Sequence, residues 1–278
     1  ALGYAVQDVK SDVLTRAANT DLAGALQGKV SGIDITPSSG MPGASSKITI
    51  RGSRSFTGDN TPLYVIDGMP IASTADVSTS LTDGAYGTDY ANRAVDIDPN
   101  DIESINILKG QAASALYGIR ASNGVIIITT KKAKEGQTRV NINGSFGFKS
   151  VTDKIALTDA EGFKLLYNEQ LRNEGNPEYN FSDWTGNTNW QDEIFQTGFI
   201  TNNNISITGA SDKNSFYLGA GYAYEQGNIK HEKYSKITLN ISNDYKVTDN
   251  LKVGFQFNGA RMLPADTKSV ATALRAAP

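Results

Sequence analysis

The pattern of hydrophobic and polar residues divides the chain into two parts. In the first part, residues 1–135, short apolar runs typical of strands alternate with small helical segments, which predicts a mixed α+β domain. In the second part, residues 136–278, apolar and polar residues alternate one by one, as in VNINGSFGFK (140–149). This alternation recurs four more times and predicts about five antiparallel strands, each with one apolar and one polar face.

The segment DIESINILKGQAASALYGIRASNGVIIITTKK (101–132) is the most compact module of the first part. It predicts a short strand, a helical turn built from small residues, and a second, fully apolar strand. We expect the apolar run 125–128 to be a central strand that is buried on both faces. Gly118 and Gly124 permit the tight turns that such a module needs.

The connections between the five predicted strands differ widely in length. Residues 150–199 separate the first two strands, whereas ASDKN, QGNIKHEKY and KVTDN separate the later ones. Outer-membrane barrels alternate long loops with short turns and carry aromatic residues near strand ends. A soluble β-sandwich or meander also has alternating strands, so this alternative stays open. Polar faces rich in Asn, Ser, Thr and Gly favour a solvated barrel interior, and the aromatic candidates for the strand ends are Phe199, Tyr222, Tyr224 and Tyr245.

Five strands are too few to close a membrane barrel. The smallest bacterial barrels have about 8 strands, and an open sheet edge in lipid would leave backbone groups without hydrogen bonds. If these strands form a barrel, we therefore expect the 278 residues to be a fragment of a longer protein.

Composition and motifs argue against nucleic-acid binding and against catalysis. The net charge is −3, with 26 basic and 29 acidic residues, so no positive field attracts a polyanion. Cysteine is absent, and the one histidine, His231, lies in a polar loop with no nucleophile near it in sequence. GALQGKV does not match a phosphate-binding loop, and DIDPNDIE lacks the glycine of a calcium loop. We expect neither an enzyme nor a protein with a cofactor or metal.

Four segments of the first part point together to one family. They are LAGALQGKVSGIDI (22–35), SGMPGASSKITIRG (39–52), PLYVIDGMP (62–70) and the segment 101–132 quoted above. In this order they resemble the plug domain of SusC-like TonB-dependent outer-membrane transporters. The resemblance implies an α+β plug over residues 1–135, followed by the first antiparallel transmembrane strands of a plugged β-barrel of ~22 strands in a Gram-negative outer membrane.

The same resemblance implies active import of a large nutrient, an oligosaccharide or an oligopeptide. A SusD-like surface lipoprotein would capture the substrate, and TonB, whose recognition box is not in this sequence, would pull the plug. Outer-membrane lipid would surround the strands. Two alternatives differ in function: a SusC-like scaffold in an outer-membrane assembly without transport, and a soluble surface binding protein or adhesin.

Charged residues inside apolar motifs are candidates for gating. Arg51, Asp67, Lys109 and Arg120 are expected to have partners, because an unpaired buried charge is costly. We hypothesise that some of them pair with charges on the barrel wall in a latch that TonB releases. The remaining plug-motif and gating candidates are Gly52, Gly68, Tyr117, Gly118 and Gly124.

Two loops of the plug, residues 53–61 and 71–95, are expected to face the substrate, because the resemblance places them on the outward side. Their residues can stack on rings or hydrogen-bond to sugars and peptides, although any solvated loop contains such residues. The candidates for substrate contact are Phe56, Tyr86, Tyr90, Asn92 and Arg93.

Within the long loop, TDAEGFKLLYNEQLRNEG predicts a helix. Thr158 and Glu161 have the spacing of a capping box. An apolar stripe follows, and we expect it to pack on the barrel rim, on the plug or on a lipoprotein partner. The stripe consists of Phe163, Leu166, Tyr167 and Leu171.

Overall fold

The computed structural model describes residues 5–15, 22–37, 42–44, 46–53, 60–71, 97–110, 112–133, 136–263 and 276. The described strands form two five-stranded sheets and one two-stranded sheet. We call residues 5–133 the N-terminal domain and the sheet within 136–263 the meander sheet. Among the described residues, no helix is both long enough and apolar enough to cross a membrane.

The N-terminal domain combines short strands with short helices, as the sequence pattern predicts. Its main sheet has the order β1-β6-β7-β4-β5, and β2 and β3 form the separate two-stranded sheet. In chain order the elements are β1 (Ala5–Lys10), α1 (Ser11–Thr15), α2 (Leu22–Leu26), β2 (Ile33–Pro37), β3 (Ser46–Ile50), β4 (Leu63–Ile66), β5 (Met69–Ile71), β6 (Ile102–Lys109), α3 (Ala112–Tyr117) and β7 (Val125–Thr130).

Strand β7 lies at the centre of the main sheet, which confirms the prediction for the run 125–128. It pairs antiparallel with β6 and parallel with β4. Ile126 and Ile128 belong to the core cluster that contains the leucines of α1 and α2. Val125 belongs to a second cluster, on the other face, together with Ala113. Apolar contacts therefore cover both faces of the strand, as a central strand requires.

The meander sheet contains five antiparallel strands, each paired with the next one along the chain. The connection between its first two strands, residues 150–197, carries two helices. The elements are β8 (Gly136–Lys149), α4 (Ala160–Asn173), α5 (Trp190–Ile194), β9 (Gly198–Ala210), β10 (Asn214–Gln226), β11 (Lys233–Thr248) and β12 (Leu251–Leu263).

The two faces of the meander sheet are the reverse of those in a soluble protein. Its apolar side chains are exposed, for example Phe146 at 81% and Phe255 at 60%. The opposite, polar face lies against the N-terminal domain, and Asn204 and Thr238 on that face are buried. A β-sandwich would bury the apolar face under a second sheet. Within the described residues no such sheet exists, so the sandwich alternative does not hold for this part of the chain.

Helix α4 begins one residue later than the predicted capping box requires. Asp159 is the N-cap, and its Oδ1 accepts a hydrogen bond of 2.9 Å from the backbone N of Gly162. The prediction of Thr158 and Glu161 as a capping box is therefore wrong. The physical reason is that a carboxylate caps a helix as well as a hydroxyl does, and the helix dipole favours its negative charge.

The apolar stripe of α4 packs on the returning segment of its own loop. Phe163 stacks on Trp184 with ring centroids 6.4 Å apart, and Tyr167 meets Phe181 at 5.7 Å. Leu166, which the sequence placed in the same stripe, is 56% exposed. The aromatic residues of the stripe thus pack inside the loop, whereas Leu166 lies at the surface and Leu171 is half-buried.

Replacing Asp159 with Ala is expected to destabilise the first turn of α4 by about 1 kcal/mol, because the amide of Gly162 loses its acceptor. Thr158→Ala is the matched control and is expected to have a much smaller effect. Hydrogen–deuterium exchange at the Gly162 amide in the full-length protein measures both, and it should be about fivefold faster in the Asp159 variant. Equal acceleration in the two variants would contradict the Asp159 cap.

Candidate functional site at the domain interface

The interface between the N-terminal domain and the meander sheet is centred on a short acidic turn. Pro99–Asp101 forms one turn of 3₁₀ helix immediately before β6, and Asp98 is its N-cap. The Oδ1 atom of Asp98 accepts hydrogen bonds from the backbone N and the Nδ2 of Asn100, at 2.8 and 2.9 Å. Lys131, just after β7, donates from its backbone N to the Asp101 carbonyl oxygen at 2.8 Å. The turn is therefore fixed to the two central strands of the main sheet.

Asp101 reaches out of this turn and contacts three neighbouring strands of the meander sheet. The hydroxyl of Tyr217 on β10 donates a hydrogen bond of 2.5 Å to its Oδ1. The Nδ2 of Asn204 on β9 donates to the same oxygen at 3.3 Å and to Asp98 Oδ2 at 3.2 Å. The Nδ2 of Asn240 on β11 donates to the other oxygen of Asp101. We call these five residues the acidic contact.

Two glycines on β10 make room for the acidic contact. Gly219 and Gly221 lie on the same face of β10 as Tyr217, because side chains alternate along a strand. A Cβ at Gly219 would lie 2.9 Å from Asp101 Oδ1, and one at Gly221 would lie 2.5 Å from Asp98 Oδ2. A glycine inside a strand often marks such a close approach. The acidic turn is thus seated against the backbone of β10.

Both carboxyl groups of the acidic contact are buried, with residue exposures of 3% for Asp98 and 1% for Asp101. Burial raises the pKa of the Asp101 carboxyl above its ordinary value; the hydrogen bond from Tyr217 opposes this rise, and the charge of neighbouring Asp98 adds to it. The described partners of Asp101 are neutral hydroxyl and amide groups, not cations. Within the described contacts, the charge of Asp101 is therefore stabilised by hydrogen bonds from neutral groups, which makes the acidic contact sensitive to protonation.

A second polar contact starts from Asp67, one of the predicted gating residues. Asp67 and Gly68 form the two-residue connection between β4 and β5, and both have positive φ angles, 46° and 87°. That conformation is typical of an Asp-Gly hairpin turn. The carboxylate of Asp67 accepts from Thr130 through the backbone N at 3.0 Å and Oγ1 at 2.7 Å, and from Gln256 Nε2 on β12 at 2.5 Å. Asp67 thus joins the end of β7 to the meander sheet.

A third contact is made by close packing. Gly43 lies so near the ring of Tyr234, at the start of β11, that a Cβ on Gly43 would overlap the ring. Gly43 also has a φ angle of 69°, which a residue with a side chain rarely adopts. Tyr234 is 3% exposed. This contact places a loop of the N-terminal domain beside the first residues of β11.

The other charged gating candidates lie elsewhere. Lys109 Nζ donates to Gln7 Oε1 and to the Ser31 carbonyl oxygen, each at 2.7 Å, so it joins parts of the N-terminal domain to each other. Burial lowers the pKa of Lys109, and the charge of Arg51 adds to the effect. Arg51 and Arg120 are both exposed. For Asp67 the structure describes a hydrogen bond to the meander sheet, and its partner there is a neutral amide. The predicted charge-paired latch therefore stays a prediction.

The remaining motif candidates have local roles in the N-terminal domain. Gly52, Gly118 and Gly124 all have positive φ angles, between 74° and 99°. At Gly124 there is also no room for a side chain, since a Cβ there would lie 2.9 Å from Ile50 Cδ1. Tyr117 is half-buried and packs against the smaller core cluster. The substrate-contact candidates lie outside the described residues: Phe56, Tyr86, Tyr90, Asn92 and Arg93.

In the sequence, the acidic turn is part of DIDPNDIE, which lacks the glycine of a calcium loop and carries no other site motif. Among the described residues, no group of three or more acidic, histidine or cysteine side chains could hold a metal ion. The signal that could have identified the contact is the pair Gly219 and Gly221 inside a strand that otherwise alternates regularly, because such glycines indicate close approach of another backbone or side chain.

Comparison with known proteins relates the chain to one family. The family model of the TonB-dependent Receptor Plug Domain matches residues 1–125. The chain is 35% identical over 239 residues to TonB-dependent receptor SusC from Bacteroides thetaiotaomicron, which covers 85% of this chain and 22% of the relative. It is 32% identical over 257 residues to TonB-dependent receptor P3 from Formosa agariphila, covering 92% of this chain and 23% of the relative. The chain thus spans less than a quarter of these curated relatives.

Solved structures have the same combination of domain and strands. The RagAB peptide transporter is similar with a TM-score of 0.77 at 22% identity, over 94% of this chain and 31% of that chain. The RagAB peptide importer in its closed-closed state has a TM-score of 0.73 at 25% identity, over 94% and 31%. The siderophore receptor PirA from Acinetobacter baumannii has a TM-score of 0.59 at 19% identity, over 94% and 32%. The fold is therefore a plug followed by part of a plugged barrel.

Gly221→Ala is expected to displace the acidic turn and to destabilise the interface by about 1–3 kcal/mol, because the new Cβ meets Asp98 and Thr238. Gly147→Ala on β8 is the matched control, since nothing lies within 4 Å of a Cβ there. Limited proteolysis of the full-length protein measures how often the N-terminal domain opens and exposes its cleavage sites. Cleavage should accelerate in the Gly221 variant alone; unchanged cleavage would contradict the close approach.

The raised pKa of Asp101 predicts that the acidic contact weakens as the pH rises. The folded protein holds this proton more tightly than the unfolded chain, where an aspartate has a pKa of about 3.9. The contribution to stability is therefore complete below that value and is lost as the pH rises through the raised pKa. Asp101→Asn, which cannot ionise, should flatten this part of the pH dependence, and Asp212→Asn in an exposed turn should not. Denaturation midpoints of the full-length protein across the acidic and neutral range test this; identical profiles for wild type and Asp101→Asn would contradict it.

Proposed function

Because the chain is a SusC-like TonB-dependent receptor that contains the plug and the first barrel strands, we propose that the full-length protein imports a large nutrient across a Gram-negative outer membrane. The substrate is an oligosaccharide or an oligopeptide. A SusD-like surface lipoprotein delivers it to the barrel, and TonB supplies the pull that moves the plug. The protein carries out no covalent chemistry in this process.

The observation that carries the proposal is the inverted polarity of the meander sheet. Its apolar face is exposed, and its polar face is covered by the N-terminal domain. An apolar outer band and a polar, filled interior are what a plugged barrel in lipid requires. The proposal accordingly places the N-terminal domain in the barrel lumen, as the plug, and the exposed apolar side chains in contact with outer-membrane lipid.

The contacts at the interface suit a plug that has to move. The described contacts of Asp67, Asp98 and Asp101 with the sheet are hydrogen bonds from neutral side chains. Once the plug is displaced, water can replace each of these donors, so no buried charge is left without a partner. The proposal assigns these contacts the role of holding the plug at rest and releasing it under load.

The relatives support the partners in the proposal. SusC and P3 are TonB-dependent receptors by name, which supports a requirement for TonB. RagAB is a peptide importer, which supports a peptide as one of the two substrate classes. The chain covers about a third of RagAB and less of the curated relatives, so the substrate, the lipoprotein and the pull by TonB are all part of the proposal.

The experiment that tests the proposal compares uptake in three strains: the parent, a strain without this protein, and a strain without TonB. Radiolabelled pools of oligosaccharides and of oligopeptides are supplied separately. We expect uptake of one pool to be lost in both deletion strains, and we expect a surface lipoprotein to co-purify with the protein. Normal uptake of both pools, together with stable partners other than such a lipoprotein, would instead support the scaffold alternative.

Leu239→Arg tests whether the apolar face contacts lipid. Leu239 lies on the exposed face near the middle of β11, where an arginine in a bilayer costs about 2–4 kcal/mol. Leu251→Arg is the matched control, because it lies on the same face at the end of β12, where the cost is about 0–1 kcal/mol. Denaturant titration of the full-length protein folded in lipid vesicles measures both. Equal and small effects would contradict a membrane position for this face.

A further inference from the structure

A polar cavity separates the N-terminal domain from one side of the meander sheet. Its volume is about 470 Å³, and it lies between the acidic turn and strands β8 and β9. Cavities of this size fall within the range of roughly 300–1,000 Å³ that small-molecule sites occupy. We call it the β8 cavity, and its polar lining residues are Thr15, Asn100, Lys131, Asn141, Asn143, Ser145 and Asn202.

The sheet side of the β8 cavity is a row of amide and hydroxyl groups. Asn141 and Asn143 lie on the polar parity of β8, and Ser145 pairs across the sheet with Asn202 of β9. Asn141 and Asn143 are exposed, in contrast to Asn204 on the next strand, which the acidic contact buries. Each amide offers both a donor and an acceptor. This wall can therefore bind any chain of hydrogen-bonding groups that enters beside it.

The opposite side of the β8 cavity belongs to the N-terminal domain and carries little charge. Lys131 is the one charged residue among the described lining residues, and its Nζ donates to the Asn100 carbonyl oxygen at 2.7 Å. Part of its hydrogen-bonding capacity is thus already used. An uncharged substrate loses little on leaving water for such a lining, whereas a charged one would need an opposite charge.

The attachments of the N-terminal domain described above lie beside this cavity. The acidic contact holds the domain on β9, β10 and β11, and Asp67 holds it on β12. Around β10 the two surfaces approach so closely that two glycines are needed. Next to β8 the same two surfaces are separated by the cavity. A displacement that loosens the N-terminal domain while these attachments persist therefore widens the interface along the middle of β8, away from Gly136, where the chain itself joins the domain to the strand.

We propose that the β8 cavity is the place where an uncharged, hydrogen-bonding substrate passes the plug, along the wall formed by β8 and β9. This inference rests on the proposed transport function and adds a location and a chemistry to it. Sugar hydroxyls and peptide amides share the required chemistry. In the first stage of the movement, before they are released, the acidic contact and Asp67 act as the fixed side, and the amide row on β8 is the surface along which the substrate moves.

Single cysteine variants of the full-length protein test this location, since the 278 residues contain no cysteine of their own. Any cysteine elsewhere in the protein is replaced first. Asn143→Cys places a thiol in the β8 cavity. Asn258→Cys is the matched control, because it places a thiol on β12 in a separate cavity of about 220 Å³ between the N-terminal domain and the meander sheet. Each thiol is coupled to a bulky, water-soluble reagent, and the amount of folded protein in the outer membrane is checked.

Uptake of radiolabelled neutral oligosaccharides and of neutral oligopeptides is then measured separately, before and after coupling. We expect coupling at position 143 to abolish uptake of the pool that the uncoupled variant imports, and coupling at position 258 to leave it unchanged. If uptake of the oligosaccharide pool is lost, the cavity recognises sugar hydroxyls; if uptake of the oligopeptide pool is lost, it recognises peptide amides.

Continued uptake after coupling at position 143, or equal loss at both positions, would overturn the location. Failure of the uncoupled variants and of the wild type to import either pool would contradict the proposed function itself, and the location with it. Uptake measured before coupling therefore distinguishes a wrong function from a wrong location.

Discussion

The structure depends on one constraint: the meander sheet must bury its polar face and expose its apolar face. A water-soluble sheet does the opposite, because apolar burial is the dominant favourable term in folding. Here the polar face is covered by the N-terminal domain, which buries Asn204 and Ser206. Buried polar groups need partners. The N-terminal domain supplies carboxylates on the buried acidic turn and on the β4–β5 hairpin, and they accept hydrogen bonds from amides and one hydroxyl of the sheet.

This constraint also explains why the interface is polar. A hydrogen bond to a charged group contributes about 1.5–3 kcal/mol, while burying a carboxylate without a cation costs several kcal/mol. The two effects oppose each other at Asp101, so the acidic contact positions the N-terminal domain with only a small net contribution to stability. The two apolar core clusters of the domain, by contrast, keep it folded from within. Internal stability and attachment to the sheet therefore rest on different interactions.

The sequence predicted those features that depend on local pattern. One-by-one alternation identified all five strands of the meander sheet and their two faces, and the run 125–128 identified the central strand β7. The helix cap was misplaced by one residue, because Thr158 and Asp159 are both good caps and only the backbone conformation decides between them. Propensity rules describe which residues can cap, and not which of two neighbours does so.

The acidic contact could not be derived in the same way. Asp101 lies more than 100 residues from each of its partners in the meander sheet, and no local pattern encodes which strands it meets. Among the gating candidates, Asp67 contacts the meander sheet by accepting a hydrogen bond from the side-chain amide of Gln256. Because that amide is uncharged, the expectation of an oppositely charged partner could not identify it. Gly219 and Gly221 were a usable signal, since they interrupt a strand without forming a turn.

Accessibility along β12 in the full-length protein tests the central claim most directly. Spin labels placed one at a time at positions 253 to 258 would report collisions with oxygen, which concentrates in lipid, and with a water-soluble nickel complex. The account predicts that labels at Val253, Phe255 and Phe257 collide preferentially with oxygen, and that labels at Gly254, Gln256 and Asn258 do not. Preferential collision of the first set with the nickel complex would mean that the apolar face meets water or protein, and would contradict the account.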